Sequence, residues 1–378
     1  MKDKVKVVVF LRSNPIKPDP RVEKEAYALS QAGFKVMVVG WDRSGLLPTV
    51  EEREFGVLHR IRLSSGYATG MKNLPCLIRW QLRLLRWLFR NRQVYDIIHA
   101  CDFDTVLPAL LAKCLLRKKV VYDVFDFYAE MLRRTPKFIC SIIRNIDLIV
   151  MSKVDAVIIA DEMRIAQIRG AHPKRLTIIR NSPPLLPLPE IRRDERYVLR
   201  VAYVGLLQVE RGILEVLEVM RQHPDWHLDL AGFGGDELLI INRAKCLPNV
   251  DFHGRVNYEV ALQIMANADL LFATYDPRIP NHRYSSPNKV FEAMMLGKPI
   301  IVARGMGIDS LVEKERVGFV VDYGDVGQLE KVMSEVARWS YTEKQAFAQH
   351  VRRVFEERFS WEKSQESLVE LYKELNGA

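Results

Sequence analysis

Residues 285–299 read SSPNKVFEAMMLGKP. Ser286 is a good N-cap, and Pro287 suits the first helical position, where no backbone donor is lost. Gly297 fits the end of a helix, with Pro299 shortly beyond it. The stretch therefore predicts a helix of about three turns with both ends marked. Apolar runs flank it, DLLFAT at 269–274 and PIIVA at 299–303. Strand, helix, strand in that order is a βαβ unit, and its repetition along the chain decides the fold class.

The repetition is visible outward in both directions. Further strands are expected at 200–205, 226–231, 250–254 and 318–322, and in the first half at 4–12, 35–41, 55–63, 96–100, 119–124, 155–160 and 176–180. Most are near-continuous apolar runs, as strands buried on both faces of a parallel sheet must be. Between the halves, residues 181–190 read NSPPLLPLPE. Four prolines cannot continue a helix or a central strand, so this is a linker. The reading is α/β, with domains at 1–185 and 186–358. The helical tail at 359–378 is free to pack on either.

Three turns stand at the C-terminal edge of the second predicted sheet. One is the start of the 285–299 helix, where free N–H groups favour phosphate and Asn288 and Lys289 add donors and a charge. Another is Gly205-Leu206-Leu207-Gln208-Val209-Glu210-Arg211-Gly212, directly after RVAYV. The third is Gly232-Phe233-Gly234. Glycine lets a ligand approach the backbone, and arginine pairs with phosphate in bidentate fashion. Each glycine pattern alone is weak, since a capped surface helix or a tight turn explains it equally well. Together they converge where a nucleoside diphosphate would lie.

The ordered set resembles the retaining glycosyltransferases of the GT-B fold, a family-4-like, "group 1" pattern. In the second half the matching residues are Gly205 with Arg211-Gly212, Gly232 with Gly234, Phe252-His253-Gly254, and Glu292-Ala293-Met294 with Gly297 and Pro299. In the first half they are Asp19-Pro20-Arg21-Val22-Glu23, Gly33-Phe34-Lys35-Val36, Asp96-Ile97-Ile98-His99 and Asn181. The resemblance covers nearly the whole chain. It implies two Rossmann-like domains facing across a cleft, with the tail helix returning to the first. It also implies a nucleoside-diphosphate sugar as donor substrate, with no tightly bound cofactor. Glu292 then holds the ribose, while Arg211, Lys289, Ser286 and Asn288 hold the diphosphate. Gly305 and Gly307 approach the sugar, and Arg21 and His99 lie on the acceptor side, His99 being equally at home as a core residue.

The sequence also departs from the family. Tyr284 stands where a first glutamate is usual, Leu206 where an arginine is usual, and Phe125 where a histidine is frequent. Lys289, Asn288 and Asp126 are placed to stand in for them. A catalytically silent binding subunit and a sugar-nucleotide epimerase share the architecture. The first is favoured by the missing glutamate, and the second is opposed by the scarcity of acid/base groups.

Five scattered cysteines imply reduced thiols and a cytoplasmic protein. No cysteine or histidine spacing suggests a metal site, and Asp102 and Asp104 read as solvated loop residues. Lys and Arg outnumber Asp and Glu by 32 to 18 over residues 1–185, against 24 to 29 in the remainder. An anionic partner is therefore expected for the first half only. Residues 77–92, LIRWQLRLLRWLFRNR, place Arg79, Arg83, Arg86 and Arg90 on one helix face beside Trp80 and Trp87. A solvated domain helix would look similar. A second basic and apolar stretch (Arg133, Arg134, Lys137, Phe138, Ile139, Ile142, Ile143, Arg144) turns the reading toward an anionic membrane surface and a lipid-linked glycan acceptor. Nucleic acid is disfavoured, because no nucleic-acid motif accompanies the charge.

Overall fold

Apolar runs with β-branched residues become the inner strands of two sheets. The computed structural model describes residues 5–66, 74–132, 135–191 and 196–377. The chain divides into one unit of residues 1–180 and 364–378, and another of residues 181–363.

The first unit holds an eight-stranded sheet. Its strands are β1 (Val7–Arg12), β2 (Lys35–Asp42), β3 (Val50–Arg53), β4 (Gly56–Arg62), β5 (Ile97–Cys101), β6 (Lys119–Val124), β7 (Ala156–Ile159) and β8 (Leu176–Ile178). They lie in the order β3-β4-β2-β1-β5-β6-β7-β8, and only β3 is antiparallel to its neighbour. The sequence reading missed β3. Its residues, VEER, carry no apolar run, and an edge strand paired on one side needs none.

The second unit holds six parallel strands in the order β11-β10-β9-β12-β13-β14. They are β9 (Leu199–Leu206), β10 (Trp226–Phe233), β11 (Val250–Phe252), β12 (Leu270–Ala273), β13 (Ile300–Ala303) and β14 (Gly318–Val321). Strand order reverses direction between β9 and β12. A doubly wound sheet therefore opens a crevice beyond the C-terminal ends of those two strands.

The proline-rich segment belongs to the second unit, so the first unit ends at Arg180 rather than 185. The segment is held there through its backbone. Trp361 donates to the Pro183 carbonyl at 3.0 Å, and the Leu185 N–H donates to Glu362 Oε1 at 3.0 Å. The final helix, Trp361–Gly377, joins the first unit from Ser364 rather than 359. There Leu368, Leu371, Tyr372 and Leu375 are buried.

Tyr372 fixes this helix to the sheet. Its hydroxyl lies 2.6 Å from His99 Nδ1 in β5, and its ring packs edge-on against Phe34. Both partners of the hydrogen bond are fully buried. Tyr372→Phe should therefore cost about 1–3 kcal/mol in the unfolding of this unit, the cost of stranding a buried polar atom. Urea denaturation measures it, and an unshifted midpoint would show that the pair contributes nothing.

Candidate functional site

The crevice between β9 and β12 is built from loops that lock onto one another. After β9 the chain makes a short 3-10 turn, Val209–Arg211, and enters the helix Ile213–Gln222 through Gly212. Gly212 has φ +70°, and a Cβ there would overlap Thr274 of the loop after β12. The two loops are also bonded, Asp276 N–H to the Glu210 carbonyl at 2.9 Å. Asp236, beyond β10, accepts from the Val209 N–H at 2.9 Å. Gly232 and Gly234 permit this packing: a side chain on either would collide with the backbone at Gly205 or Leu207.

Lys289 lies in the first turn of the helix Asn288–Met295. That helix is capped at Pro287 rather than Ser286 and has eight residues, shorter than expected. Ser286 is buried ahead of it. The Lys289 ammonium sits over Gly205, in the space a side chain there would fill. It donates to the Tyr275 hydroxyl at 3.2 Å and lies 4.6 Å from the Tyr203 ring centre. From the other loop, the Arg211 guanidinium stacks 4.0 Å from the Tyr275 ring centre.

Two cations thus flank one buried tyrosine. Burial alone would push the Tyr275 phenol up, but Lys289 and Arg211 hold it below its ordinary value. Burial disfavours the Lys289 charge, yet Tyr203, Tyr275 and Glu292 hold its pKa above the usual lysine range. Neither cation has a carboxylate within ion-pair distance among the described residues, so their combined charge is available to an anion. Sequence reasoning missed Tyr275 and Tyr203. Their only signal was position: Tyr275 follows a strand at the switch point, and Tyr203 lies two residues before Gly205.

The remaining expected residues of this unit fall around the same edge. Asn288 is exposed at the helix start. Glu292, one turn on, is half-buried and engages the Tyr258 phenol, which burial and Glu292 both push up. Tyr284 is half-buried just after the single-turn helix Pro280–Arg283. In the loop after β13, the Gly305 N–H donates to Asp309 Oδ2 at 2.7 Å, and Gly307 caps the helix Ile308–Glu315. Between them Met306 is buried, its sulfur 3.3 Å from the Tyr275 nitrogen.

In the first unit the structure separates the expected residues. Arg21 and His99 are in the core, not at a surface where an acceptor could touch them. Arg21 makes a bidentate pair with Asp123, at 3.0 and 2.8 Å, and donates to the Ile179 carbonyl. His99 is fully buried between Phe10 and Tyr372, with Glu25 and Asp123 at 3.4 and 3.5 Å. Asp126 is half-exposed and paired with Arg164 at 3.3 Å.

Asp102 is not a solvated loop residue. It begins the helix Phe103–Leu116, pairs with Arg12, and accepts from the Phe125 and Asp126 N–H groups at 3.0 and 3.3 Å. Burial, opposed by Arg12, pushes its carboxyl up to about 6. Phe125 lies under two guanidinium groups, Arg12 at 4.2 Å and Arg21 at 4.8 Å.

The basic helix is Leu74–Arg90. Arg79, Arg83, Arg86 and Arg90 are all exposed. Trp80 is not: it is fully buried, stacked on Trp41 at 5.0 Å, with its indole N–H on Ser13 Oγ. Trp87 is half-buried against Tyr95 and His59. The outward apolar residues are instead Leu74, Ile78 and Leu82. Two further helices pack on the same core cluster and also turn apolar residues outward. Phe103–Leu116 shows Leu111 and Leu115, and Lys137–Lys153 shows Phe138, Ile142, Ile146 and Ile149. Arg133 and Arg134 lie outside the described residues. Among the described residues no helix is long and apolar enough to cross a membrane.

Comparison with known proteins agrees with this architecture. Residues 199–338 match the family described as Glycosyl transferases group 1, and residues 21–182 match Glycosyltransferase Family 4. An uncharacterized glycosyltransferase of Haemophilus influenzae is 28% identical over 159 residues. That alignment takes in 40% of this chain and 43% of the relative, so it spans less than half of that protein. Among solved structures, sucrose-phosphate synthase from Thermosynechococcus elongatus superposes with a TM-score of 0.77 at 17% identity, covering 98% of this chain and 99% of that one. Anabaena HepE in complex with UDP and glucose gives 0.69 at 16% identity, covering 98% and 100%. Those two likenesses establish the fold, two Rossmann-like domains of the GT-B type. The family matches, one in each half and on either side of the proline-rich linker, place the chain among the group 1, family-4-like glycosyltransferases, a family of transferase enzymes.

Proposed function

We propose that the protein transfers a sugar, with retention, from a nucleoside-diphosphate sugar to a hydroxyl of a lipid-linked glycan, working at the cytoplasmic face of a membrane. The observation that carries the donor half is the pair of cations, Lys289 and Arg211, held around Tyr275 at the switch point. UDP and glucose accompany the structural neighbour HepE, in agreement with such a donor. Retention rests on the family resemblance alone.

In this reading the diphosphate lies across the start of the Asn288–Met295 helix. Lys289 and Arg211 take up the charge that grows on it as the bond to the sugar breaks. A diphosphate is already a good leaving group, so paired carboxylates of the glycosidase kind are not required. Glu292, oriented by Tyr258, meets the ribose hydroxyls. Tyr284, Ser286 and Asn288 border the donor, and the loop carrying Gly305 and Gly307 reaches toward the sugar. Asp126 remains the candidate polar group of the first unit, with Arg164 as its counter-charge. A silent binding subunit is the second reading. The tyrosine at 284 favours it, and donor turnover by the purified protein separates the two.

The acceptor half rests on the outward apolar residues of three helices and on the four exposed arginines of one of them. Leucine and isoleucine beside exposed arginines suit an anionic leaflet, where each basic side chain contributes ~1 kcal/mol. Trp80 plays no part in this, because it belongs to the core.

Three results test the proposal. Glu292→Ala should weaken donor binding about ten- to a hundredfold, the loss of hydrogen bonds to a charged group, with far-UV circular dichroism unchanged. Thermal shift against UDP-, GDP-, ADP- and CDP-sugars reads it, and unaltered affinity for every donor removes Glu292 from the site. Lys289→Ala and Arg211→Ala should each lower kcat roughly 10²–10³-fold while changing the donor KM less. Wild-type turnover at saturating donor in both variants would refute the clamp. Finally, replacing Arg79, Arg83, Arg86 and Arg90 with Gln should release the protein from anionic vesicles. The same release is expected for wild type at 1 M salt, where the Debye length falls to about 3 Å. Co-sedimentation decides, and wild-type binding that is equal on neutral and anionic vesicles, or absent from both, would remove the membrane partner.

A further inference from the structure

A second constellation lies in the second unit, on strands rather than loops. β10 carries His227-Leu228-Asp229, and β11 runs through Asp251-Phe252 to His253. Alternation puts His227 and Asp229 on one face of the sheet, and Asp251 and His253 on one face as well. The parallel register sets Asp229 directly beside Asp251. Two short patterns 24 residues apart, H-x-D and D-x-H, are thereby superimposed at one place on the sheet.

The ligand atoms converge. His227 Nε2 is 3.5 Å from Asp229 Oδ1 and 3.6 Å from Asp251 Oδ2. His253 Nε2 approaches the same Asp229 Oδ1 at 2.8 Å. Zinc bonds of about 2.1 Å give a tetrahedron with edges of about 3.4 Å, close to the first two distances. The ligand atoms of His227, Asp229 and Asp251 all lie within 4.8 Å of one another, and His253 holds Asp229 from outside that group.

The surroundings hold these atoms in place. Arg200 binds the other oxygen of Asp229, Oδ2, at 2.7 Å, which leaves Oδ1 turned toward the two imidazoles. Tyr197 stacks on the His227 ring at 4.5 Å and sets its plane. His227 and Asp229 are buried, whereas Asp251 and His253 are partly exposed and give an ion a way in. One imidazole nitrogen and two carboxylate oxygens form the ligand set, and the imidazole suits zinc and its neighbours among the divalent transition metals better than magnesium or calcium.

We propose that His227, Asp229 and Asp251 form a three-ligand site for a divalent transition metal, zinc in the first instance, with water completing the coordination. Its ligands come from two adjacent strands, so the metal's role is structural. It would fasten β11, an edge strand of three residues, to β10. The site is separate from the proposed donor clamp and stands whether or not the protein transfers sugar.

The test uses the full chain without a histidine tag, stripped with a chelator and titrated with zinc chloride. One equivalent should bind at micromolar free zinc and raise the thermal midpoint of the second unit, with magnesium giving no such rise. Cobalt(II) should bind with the intense visible bands of four-coordinate geometry. Asp251→Asn, at an exposed position, and His227→Gln should each weaken zinc binding at least about tenfold and abolish the cobalt bands. Wild type that takes up no stoichiometric zinc overturns the site, as do variants that bind zinc as wild type does. Cobalt with only the weak spectrum of six-coordination overturns the four-coordinate geometry.

Discussion

The ammonium of Lys289 occupies the space that a side chain at Gly205 would fill, and the crevice is organised around that contact. A lysine can reach there only because the chain leaves β9 at a glycine and because the helix Asn288–Met295 begins beside it. Both conditions follow from a sheet whose strands all run one way. Parallel order brings every C-terminal end to one edge, and the reversal between β9 and β12 prevents a helix from covering that point. Tyr275 then does what a carboxylate would do elsewhere: it keeps Lys289 and Arg211 close without neutralising them. A phenol accepts a hydrogen bond and offers a ring face to a cation, but brings no full negative charge. The charge remains for an incoming anion.

The first unit treats its charges in the opposite way. Arg21 is satisfied by Asp123, Glu25 and the Ile179 carbonyl, and Arg12 by Asp19 and Asp102. The surplus positive charge of this half therefore does not come from the interior. It lies in exposed side chains such as Arg79, Arg83, Arg86 and Arg90. A charge imbalance read from composition cannot distinguish these two situations. What distinguishes them is burial: a buried guanidinium must be paired, whereas an exposed one is free to meet a partner.

Thirteen of the fourteen described strands were legible, most of them because two-sided burial demands apolar runs. β3 was not, since an edge strand makes no such demand. The glycines of these loops were legible as turn residues, but half of their reason was not. Gly232 and Gly234 make room for neighbouring backbone, a requirement that only tertiary structure shows. Tyr275 and Asp102 were missed for a related cause. A tyrosine after a strand and an aspartate before a helix are common, and what sets them apart is a partner distant in sequence: Lys289 for one, Arg12 for the other.

The helix Leu74–Arg90 shows how far periodicity goes. Its pattern predicts an amphipathic helix, and that is correct, but a helix with tryptophan and leucine on most of its surface has two apolar stripes to offer. Trp80, Leu84 and Leu88 face the core, and Leu74, Ile78 and Leu82 face outward. The choice between them is made by Trp41, which offers a flat partner to one tryptophan, and by Ser13, which accepts its N–H. A buried indole needs both a packing partner and an acceptor for its N–H. Burying Trp80 therefore turns the aliphatic stripe outward between the arginines. The core's demand for one hydrogen-bonded aromatic ring is what creates the greasy, basic surface on the other side.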